Sequence, residues 1–390
     1  RDMWKSTSIR WNKYLLTPIY PSRVLKHSNR TLLTVVTMCG IFGVMDKRRQ
    51  VMDGSGIRQA LSMMNERGSG EGAGYVAYGI YPDYRDCYAL HVFLDNTCES
   101  KAVVDATLEQ WGAIEHDEAI PTCNQQNLRT ACTPWRYFFR PDASLAPGSA
   151  SPEKDVVTNL VMQINGCVNG AEVVSSGKNV GVFKAGGSGA WPEVVADYYR
   201  IEDYEGYLWL AHNRYATASP EKWERPDPFN LHDWSVVENG KTTTYGTNRR
   251  YVESFGYNCT TSTDSEVITY LIDLLVRRHG LDINLAIRAL APPYWEEIDR
   301  MPEAEQKLNR ALRFAYGAAT MNGPFTVVAA SPDMMVGFTD RGKLRPMVVG
   351  ECADRLFIAS EESAIRTMEP EVESITRPAA GEPVIGRVAP

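Results

Sequence analysis

The order of apolar and polar positions along the chain predicts a mixture of strands and helices. Short, mainly apolar runs that end at Gly, Pro or polar residues indicate buried strands, and apolar residues three or four positions apart indicate helices. Strands are predicted at residues 39–46, 171–183, 207–211, 325–330, 334–338 and 355–360. Helices are predicted near residues 54–66, 263–280, 282–291 and 302–321. Strands towards both ends of the sequence, with helices between them, indicate an α+β fold.

The helix predicted near residues 263–280 has recognisable signals at both ends. Thr263 is a short polar residue that can cap a helix, and Glu266 places a carboxylate in the first turn. Apolar residues then recur at helical spacing as far as Leu275. Gly280 is a suitable stop, because glycine readily adopts the left-handed conformation that ends many helices.

Two stretches lack a clear pattern. The run Arg67–Gly74 has glycine at alternate positions, and we expect it to form a flexible loop that closes over a small substrate. A nucleotide site is the alternative, but no Lys-Ser/Thr follows and the spacing fits neither nucleotide fingerprint. Residues at about 95–175 are interrupted by Pro and Cys, and we expect an irregular insertion or a surface that faces a partner.

Composition and charge exclude several classes of protein. The chain has 390 residues, of which 44% are hydrophobic, and its formal net charge is −7. No apolar run is long enough to predict a membrane span. The excess of acidic residues argues against a general nucleic-acid binder, although a basic N-terminal tail leaves that class as a weak alternative.

The basic tail consists of residues 1–38, which carry seven Lys/Arg and one acidic residue, Asp2. This N-terminal extension could be an organellar transit segment, a removable pro-segment or upstream sequence read by mistake. Met38 stands directly before Cys39, which predicts either a start at Met38 or processing between Met38 and Cys39. An unprocessed tail is the alternative, and it would leave Cys39 without a free amine.

The eight cysteines are scattered through the chain, and no pair has the Cys-x-x-Cys spacing. The sequence therefore predicts no metal or iron–sulfur site in this chain. Isolated cysteines in a chain of this length suit the reducing cytoplasm. An organelle is the alternative location if residues 1–38 are a transit segment.

The chemistry of amide hydrolysis requires a nucleophile, a base, an oxyanion site and groups that bind the substrate. Cys39 can supply the first two, because the α-amino group of an N-terminal residue titrates near neutral pH and can accept the thiol proton. Arg214 follows an apolar strand and can bind a carboxylate through two parallel hydrogen bonds.

Two further segments could complete such a site. Asn239 and Gly240 can provide a side-chain amide and a backbone N–H as oxyanion donors, although an Asn-Gly pair is also typical of a hairpin turn. Asp264 could bind an ammonium group, or it could serve as a helix cap.

Together, these segments closely resemble the class II glutamine amidotransferases, which are N-terminal-nucleophile hydrolases. The shared pattern is Cys39-Gly-Ile, Arg214-x-Ala-Thr217, the Asn-Gly pair and Thr-Asp264-x-Glu, in this order. The resemblance extends from Cys39 nearly to the C-terminus and is greatest to free-standing amidotransferase subunits related to glutamate synthase. The stretches that support this narrower similarity are Tyr245–Tyr251, Thr269–Arg277, Asp340–Pro346 and Ala359–Ala364.

The resemblance implies a role for each residue. Cys39 would attack the side-chain amide of L-glutamine and form a thioester, while Asn239 and the Gly240 N–H stabilise the oxyanion. Arg214 would bind the substrate α-carboxylate, and Asp264 would bind its α-ammonium group.

The resemblance also implies a four-layer αββα sandwich for residues 39–390, with Cys39 at the end of a central strand. Thr217 would contribute to substrate binding. Two residues depart from the family pattern, in which His usually precedes the Asn-Gly pair and a His-Pro pair is common upstream. Here Glu238 and Asp227 stand at these positions, so two carboxyl groups are expected near the pocket.

The acceptor of the ammonia is expected on another polypeptide. The similarity leaves little room for an acceptor domain, and it implies a glutamate synthase-like partner that carries FMN and iron–sulfur clusters. No cofactor is expected in this chain. Two alternatives stay open at this point: an N-terminal-nucleophile amidase for a different amide, and an inactive amidotransferase fold that serves as a regulatory or scaffold subunit.

Overall fold

The computed structural model describes residues 38–95, 98–125, 128, 132–216 and 225–389. The predicted N-terminal extension, apart from Met38, lies outside the described residues. Thr217 also lies outside them.

Strands and helices alternate through the described part of the chain. The strands are β1 Gly40–Asp46, β2 Met52–Asp53, β3 Gly72–Tyr78, β4 Tyr88–Leu94, β5 Gly112–Ala119, β6 Thr133–Pro141, β7 Ala171–Lys178, β8 Val180–Gly186, β9 Glu205–Gly206, β10 Leu208–Asn213, β11 Phe229–Leu231, β12 Trp234–Gly240, β13 Phe325–Ser331, β14 Met334–Thr339, β15 Val348–Cys352, β16 Arg355–Ala359, β17 Ser374–Thr376 and β18 Val384–Arg387. The helices are α1 Ser55–Ser62, α2 Cys98–Trp111, α3 Pro152–Cys167, α4 Pro192–Tyr199, α5 Tyr245–Glu253, α6 Asp264–Ile272, α7 Ile283–Leu290, α8 Trp295–Arg300, α9 Glu303–Ala315 and α10 Glu362–Met368.

Two antiparallel sheets form the centre of the molecule. The larger has the order β17-β15-β16-β1-β10-β3-β8, and the smaller has the order β11-β12-β13-β14-β18. They pack face to face through a shared apolar layer. The buried residues of that layer include Ile41, Met45, Val76, Leu210, Val237, Val328, Met335 and Ile358.

Helices cover the outer face of each central sheet. The larger sheet packs against α1, α4 and α10, and the smaller sheet packs against α6 and α7. The alternation along β1 shows why both of its faces are apolar: Ile41 and Met45 face the other sheet, whereas Phe42 and Val44 face the helices. The predicted α+β fold with four αββα layers is confirmed.

The glycine-rich run differs from its prediction. Its second half is the start of the buried strand β3, so the expectation of a flexible loop is wrong for Gly72 to Gly74. A Cβ atom on Gly74 would lie 2.3 Å from the carbonyl oxygen of Asp227 and 2.7 Å from Cβ of Lys184. Glycine is needed there because neighbouring chain segments approach the strand closely.

The expectation of an irregular insertion at about 95–175 is also wrong. This stretch contains α2, β5, β6 and α3, and its strands join β4 and β7 in a third antiparallel sheet of order β5-β6-β4-β7. The sequence signal is weak because β5 is a half-exposed edge strand with mainly polar residues. Whether the stretch is an insertion relative to relatives stays a prediction.

The helix predicted after Thr263 is confirmed. The Thr263 side chain accepts a hydrogen bond from the Glu266 N–H, and the helix continues as a π-helical turn at Asp273–Arg278. Gly280 follows with φ +68°, as expected of a helix stop. Residues 171–183 form two strands separated by Asn179 at φ +52°. The prediction missed the helices α4, α5, α8 and α10, and the strands β2, β4, β9, β11, β12, β15, β17 and β18.

In the described part of the chain, no helix has the length and apolar character needed to cross a membrane.

A buried histidine joins the third sheet's helix to the smaller central sheet. His232 lies in the turn between β11 and β12 at φ +50°, and its Nε2 atom is 2.7 Å from Thr158 Oγ1 on α3. Burial lowers the pKa of His232 to about 4. The neutral imidazole is therefore the form that the folded state favours.

This histidine predicts a loss of stability in mild acid. Below its unfolded-state pKa of about 6.5, the unfolded chain binds a proton that folded His232 binds only near pH 4, so the free energy of unfolding falls between these values. The contribution of His232 over this range is about 3 kcal/mol. We expect His232→Asn, which tolerates positive φ, to show a smaller decrease in unfolding free energy from pH 7 to pH 4.5 in urea titrations. The exposed His116→Asn variant is the control, and an unchanged pH dependence in His232→Asn would contradict the assignment.

Candidate active site

Cys39 lies directly before β1, at the edge shared with β10. In the antiparallel register Gly40 pairs with Asn213, so the next position on each strand brings Cys39 opposite Arg214. The Tyr215 N–H donates a hydrogen bond to Cys39 Sγ at 3.3 Å. The Cys39 carbonyl oxygen accepts one from Arg67 Nε at 3.1 Å. The thiol is thus fixed beside the end of β10.

The Cys39 thiol is protonated in this environment. Burial raises its pKa to about 12; Glu238 and Asp227 add to the increase, while the Tyr215 N–H and Arg214 oppose it. A nucleophilic thiol here needs a base that takes its proton during attack. While Met38 precedes it, the nitrogen of Cys39 is part of a peptide bond and cannot act as that base.

Asn239 lies near Cys39 although it belongs to the other central sheet. Its side chain is 1% exposed, and Nδ2 is 3.5 Å from Ser360 Oγ. Ser360 Oγ in turn accepts a hydrogen bond from the Ile41 N–H at 3.2 Å. This link joins the end of β12 to the start of β1. The hairpin-turn alternative for the Asn-Gly pair is wrong, because Asn239 and Gly240 are paired with residues of β13.

Gly240 is required by close packing. A Cβ atom there would lie 2.1 Å from the Pro324 carbonyl oxygen and 2.7 Å from Glu238 Oε1. Any larger residue would push the end of β12 away from its neighbours.

Arg214 is held by its backbone at the end of β10. Its N–H donates to the Gly72 carbonyl oxygen at 2.9 Å, and its own carbonyl oxygen accepts from the Ser69 N–H at 3.0 Å. Burial lowers the pKa of the guanidinium, whereas nearby Cys39 and Asp227 raise it. The side chain stays positively charged, since the pKa of arginine is far above neutral.

Asp264 is the first residue of α6, but its carboxylate faces the loop after β12. It accepts hydrogen bonds from Thr242 Oγ1 at 3.0 Å and from the Thr242 N–H at 3.2 Å. Lys241 Nζ lies 3.5 Å from Asp264 Oδ2. The alternative of a helix cap is wrong for Asp264, because Thr263 occupies that position. The carboxylate already attracts one ammonium group.

Glu238 and Asp227, the two residues that depart from the family pattern, both lie in this region, as expected. Asp227 Oδ2 accepts a hydrogen bond from the Glu238 N–H at 2.7 Å. His212 on β10, which the sequence did not single out, has Nε2 3.9 Å from Asp227 Oδ2. Burial lowers the pKa of His212. Its position beside Arg214 in the sequence was the available signal.

In the described ranges, no group of three or more His, Cys, Asp or Glu side chains could hold a metal ion. The site brings together a thiol, an amide, the Arg214 guanidinium and several carboxyl groups from residues in or next to β1, β10, β12 and α6.

Comparisons with known proteins identify the family that this chain resembles. The family model for class II glutamine amidotransferases matches residues 182–383. An uncharacterized protein of Archaeoglobus fulgidus is 45% identical over 352 residues, which cover 90% of this chain and 92% of that protein. A protein of Methanothermobacter thermautotrophicus, named provisionally as a glutamine amidotransferase, is 25% identical over 346 residues, or 87% of this chain and 97% of that protein.

A similarity to one solved structure is also found. Glutamine phosphoribosylpyrophosphate amidotransferase from B. subtilis, complexed with ADP and GMP, has a TM-score of 0.44 and 14% identity, and the match covers 90% of this chain and 47% of that chain. The family model spans 202 of the 390 residues, from 182 to 383, and on this basis the chain belongs to the class II glutamine amidotransferases.

Proposed function

We propose that this chain, once Cys39 is its first residue, hydrolyses L-glutamine to glutamate and ammonia through a cysteinyl thioester. The observation that carries the proposal is the contact of Cys39 Sγ with the Tyr215 N–H, which fixes the thiol beside Arg214. The buried Asn239 amide is linked through Ser360 to the start of β1.

The proposed reaction begins with transfer of the Cys39 thiol proton to its own α-amino group. Sulfur attacks the amide carbon of glutamine, and Asn239 Nδ2 and the Gly240 N–H donate hydrogen bonds to the resulting oxyanion. The amine returns the proton to the leaving nitrogen, which departs as ammonia. Water then attacks the thioester, which releases glutamate and restores the thiol.

The high pKa of the thiol makes this internal base necessary. A thiol with a pKa of about 12 is almost entirely protonated at neutral pH. A base must therefore take its proton for the sulfur to attack. An α-amino group with a pKa near neutrality accepts the proton without a second residue. The same reasoning makes removal of Met38 and everything before it a condition for activity.

The two residues proposed to bind the charged groups of the substrate, Arg214 and Asp264, have opposite charges. Arg214 binds the α-carboxylate, and Asp264 binds the α-ammonium group in place of Lys241, whose side chain is 62% exposed and can move into solvent. Opposite charges at fixed positions favour a free amino acid over an amide within a peptide. We include Thr217 in the substrate site by resemblance alone.

We further propose that the ammonia is used by a glutamate synthase-like subunit that carries FMN and iron–sulfur clusters, in the cytoplasm. Support for this partner comes from the sequence stretches shared with free-standing glutamate synthase-like amidotransferases. The alternative is an inactive subunit with a regulatory or scaffold role, and the following experiment distinguishes the two.

Replacement of the nucleophile is expected to abolish hydrolysis. Chain processed to begin at residue 39 should release glutamate from glutamine, and Cys39→Ala should lower kcat by about a thousandfold or more, because the covalent route is lost. Cys352→Ala, which removes a half-exposed free cysteine, is the matched control and should keep full activity. Wild-type protein that stays inactive when processed and mixed with its partner would favour the inactive subunit.

Substitutions of Arg214 and Asp264 are expected to weaken the binding of different substrates. Arg214→Ala should raise KM for glutamine about tenfold to a hundredfold, as expected for loss of a charged hydrogen bond, with little effect on 4-aminobutanamide, which lacks the carboxylate. Asp264→Asn should raise KM for glutamine but leave glutaramate, which lacks the ammonium group, nearly unchanged. Steady-state kinetics with the three amides test this, and equal losses for all of them would refute the assignments.

A further inference from the structure

A buried carboxyl group near the proposed ammonium site has no hydrogen-bond partner for one of its oxygens. Glu238 on β12 is only 6% exposed, and its Oε1 atom has no partner among the described residues. A buried carboxylate in that situation costs free energy unless it gains a proton or a neighbouring cation. The position is therefore suited to a proton or to a positively charged ligand.

The carboxyl group of Glu238 interacts electrostatically with both Cys39 and Asp264. Glu238 Oε1 is 2.7 Å from the point where a Cβ atom on Gly240 would stand, so it lies against the end of β12. Among charged groups, Asp264 acts most strongly on Glu238, and Glu238 acts most strongly on Cys39. Asp264 accepts two hydrogen bonds from Thr242, two residues beyond Gly240, so both carboxyl groups lie by the end of β12.

Ionisable groups from several segments lie around Glu238. Burial raises its pKa well above the usual range, Asp264 and Asp227 raise it further, and two cations oppose them. The groups are Cys39 before β1, His212 on β10 behind Asp227, Asp227 before β11, Lys241 after β12, Asp264 on α6 and Arg345 before β15. Burial is the largest of these effects, and it favours the protonated form of free Glu238.

The same region already attracts an ammonium group. Lys241 Nζ is 3.5 Å from Asp264 Oδ2, although the lysine side chain is 62% exposed and that of Asp264 only 4%. A mobile cation on a buried carboxylate is readily replaced by a ligand cation that brings additional contacts.

We propose that Glu238 is a second carboxyl ligand for the α-ammonium group of glutamine and releases its proton to solvent when glutamine binds. This inference rests on the proposed function, because its ligand is the substrate of that reaction. In the balanced step, the protonated carboxyl group and the ammonium group of glutamine become a carboxylate–ammonium pair, and one proton enters the solvent. Recognition of the amino group is thereby linked to pH.

Calorimetry tests the proton release directly. Processed chain with Cys39→Ala binds glutamine without turnover, and titrations at pH 6 in buffers of different ionisation enthalpy give the number of protons released. We expect close to one proton per glutamine for Cys39→Ala and close to none when Glu238→Gln is added. Glutaramate, which lacks the ammonium group, should release none from either protein. Glu296→Gln, which changes an exposed carboxyl group on α8, should leave the count unchanged.

Kinetics provide a second readout that a purely structural role would not change. In the otherwise wild-type processed chain, KM for glutamine should fall about tenfold for each unit by which the pH rises, as long as free Glu238 is protonated. The change in kcat should be smaller. Glu238→Gln should remove this dependence, and Glu238→Asp should restore it in part because it retains a carboxyl group.

The outcomes separate this inference from the proposed function. If glutamine binds and the proton count is the same with and without Glu238→Gln, the role of Glu238 is overturned and the glutaminase proposal stands. If Cys39→Ala binds no glutamine and the processed wild-type chain hydrolyses none, both are overturned.

Discussion

The antiparallel pairing of β1 with β10 is the constraint on which the site depends. The register that joins Gly40 to Asn213 sets Cys39 opposite Arg214 and brings the Tyr215 N–H to the thiol. A slip of one residue would turn each side chain of β1 to the opposite face. Ile41 and Met45 would then leave the layer between the sheets, so the packing of the core and the position of the nucleophile are fixed together.

The smaller central sheet supplies the proposed oxyanion donors, Asn239 and Gly240. Ser360 connects Asn239 with the start of β1, so the proposed oxyanion donor is positioned through the sheet–sheet interface. The order of strands within the smaller sheet places β12 beside β13, and Gly240 allows the close approach of Pro324. The proposed chemistry thus depends on tight packing between two layers.

Burial determines which ionisable groups of the site are favoured in their neutral forms. It raises the pKa of the Cys39 thiol and of Glu238, and it lowers that of His212. These shifts have the same cause, because each group loses hydration when the strand ends pack together. Arg214 keeps its charge in this environment, so its guanidinium lies in the same region as several carboxyl groups. A zwitterionic amino acid is the kind of ligand that such a region suits.

The sequence alone indicated most residues of the proposed site and several of the elements that carry them. The apolar runs predicted β1, β10 and β13, the cap at Thr263 predicted α6, and the four ordered segments indicated the family before any contact was known. These features are local, since periodicity, capping and short motifs depend on neighbouring residues. The half-exposed β5 and the glycine-rich start of β3 were misjudged, because their strand character comes from partners distant in the sequence. Only the tertiary structure decided that Glu238 is buried with an unpartnered oxygen and that Lys241 lies on Asp264. Hydration and charge at a position depend on every segment that packs around it, and no local pattern encodes that sum.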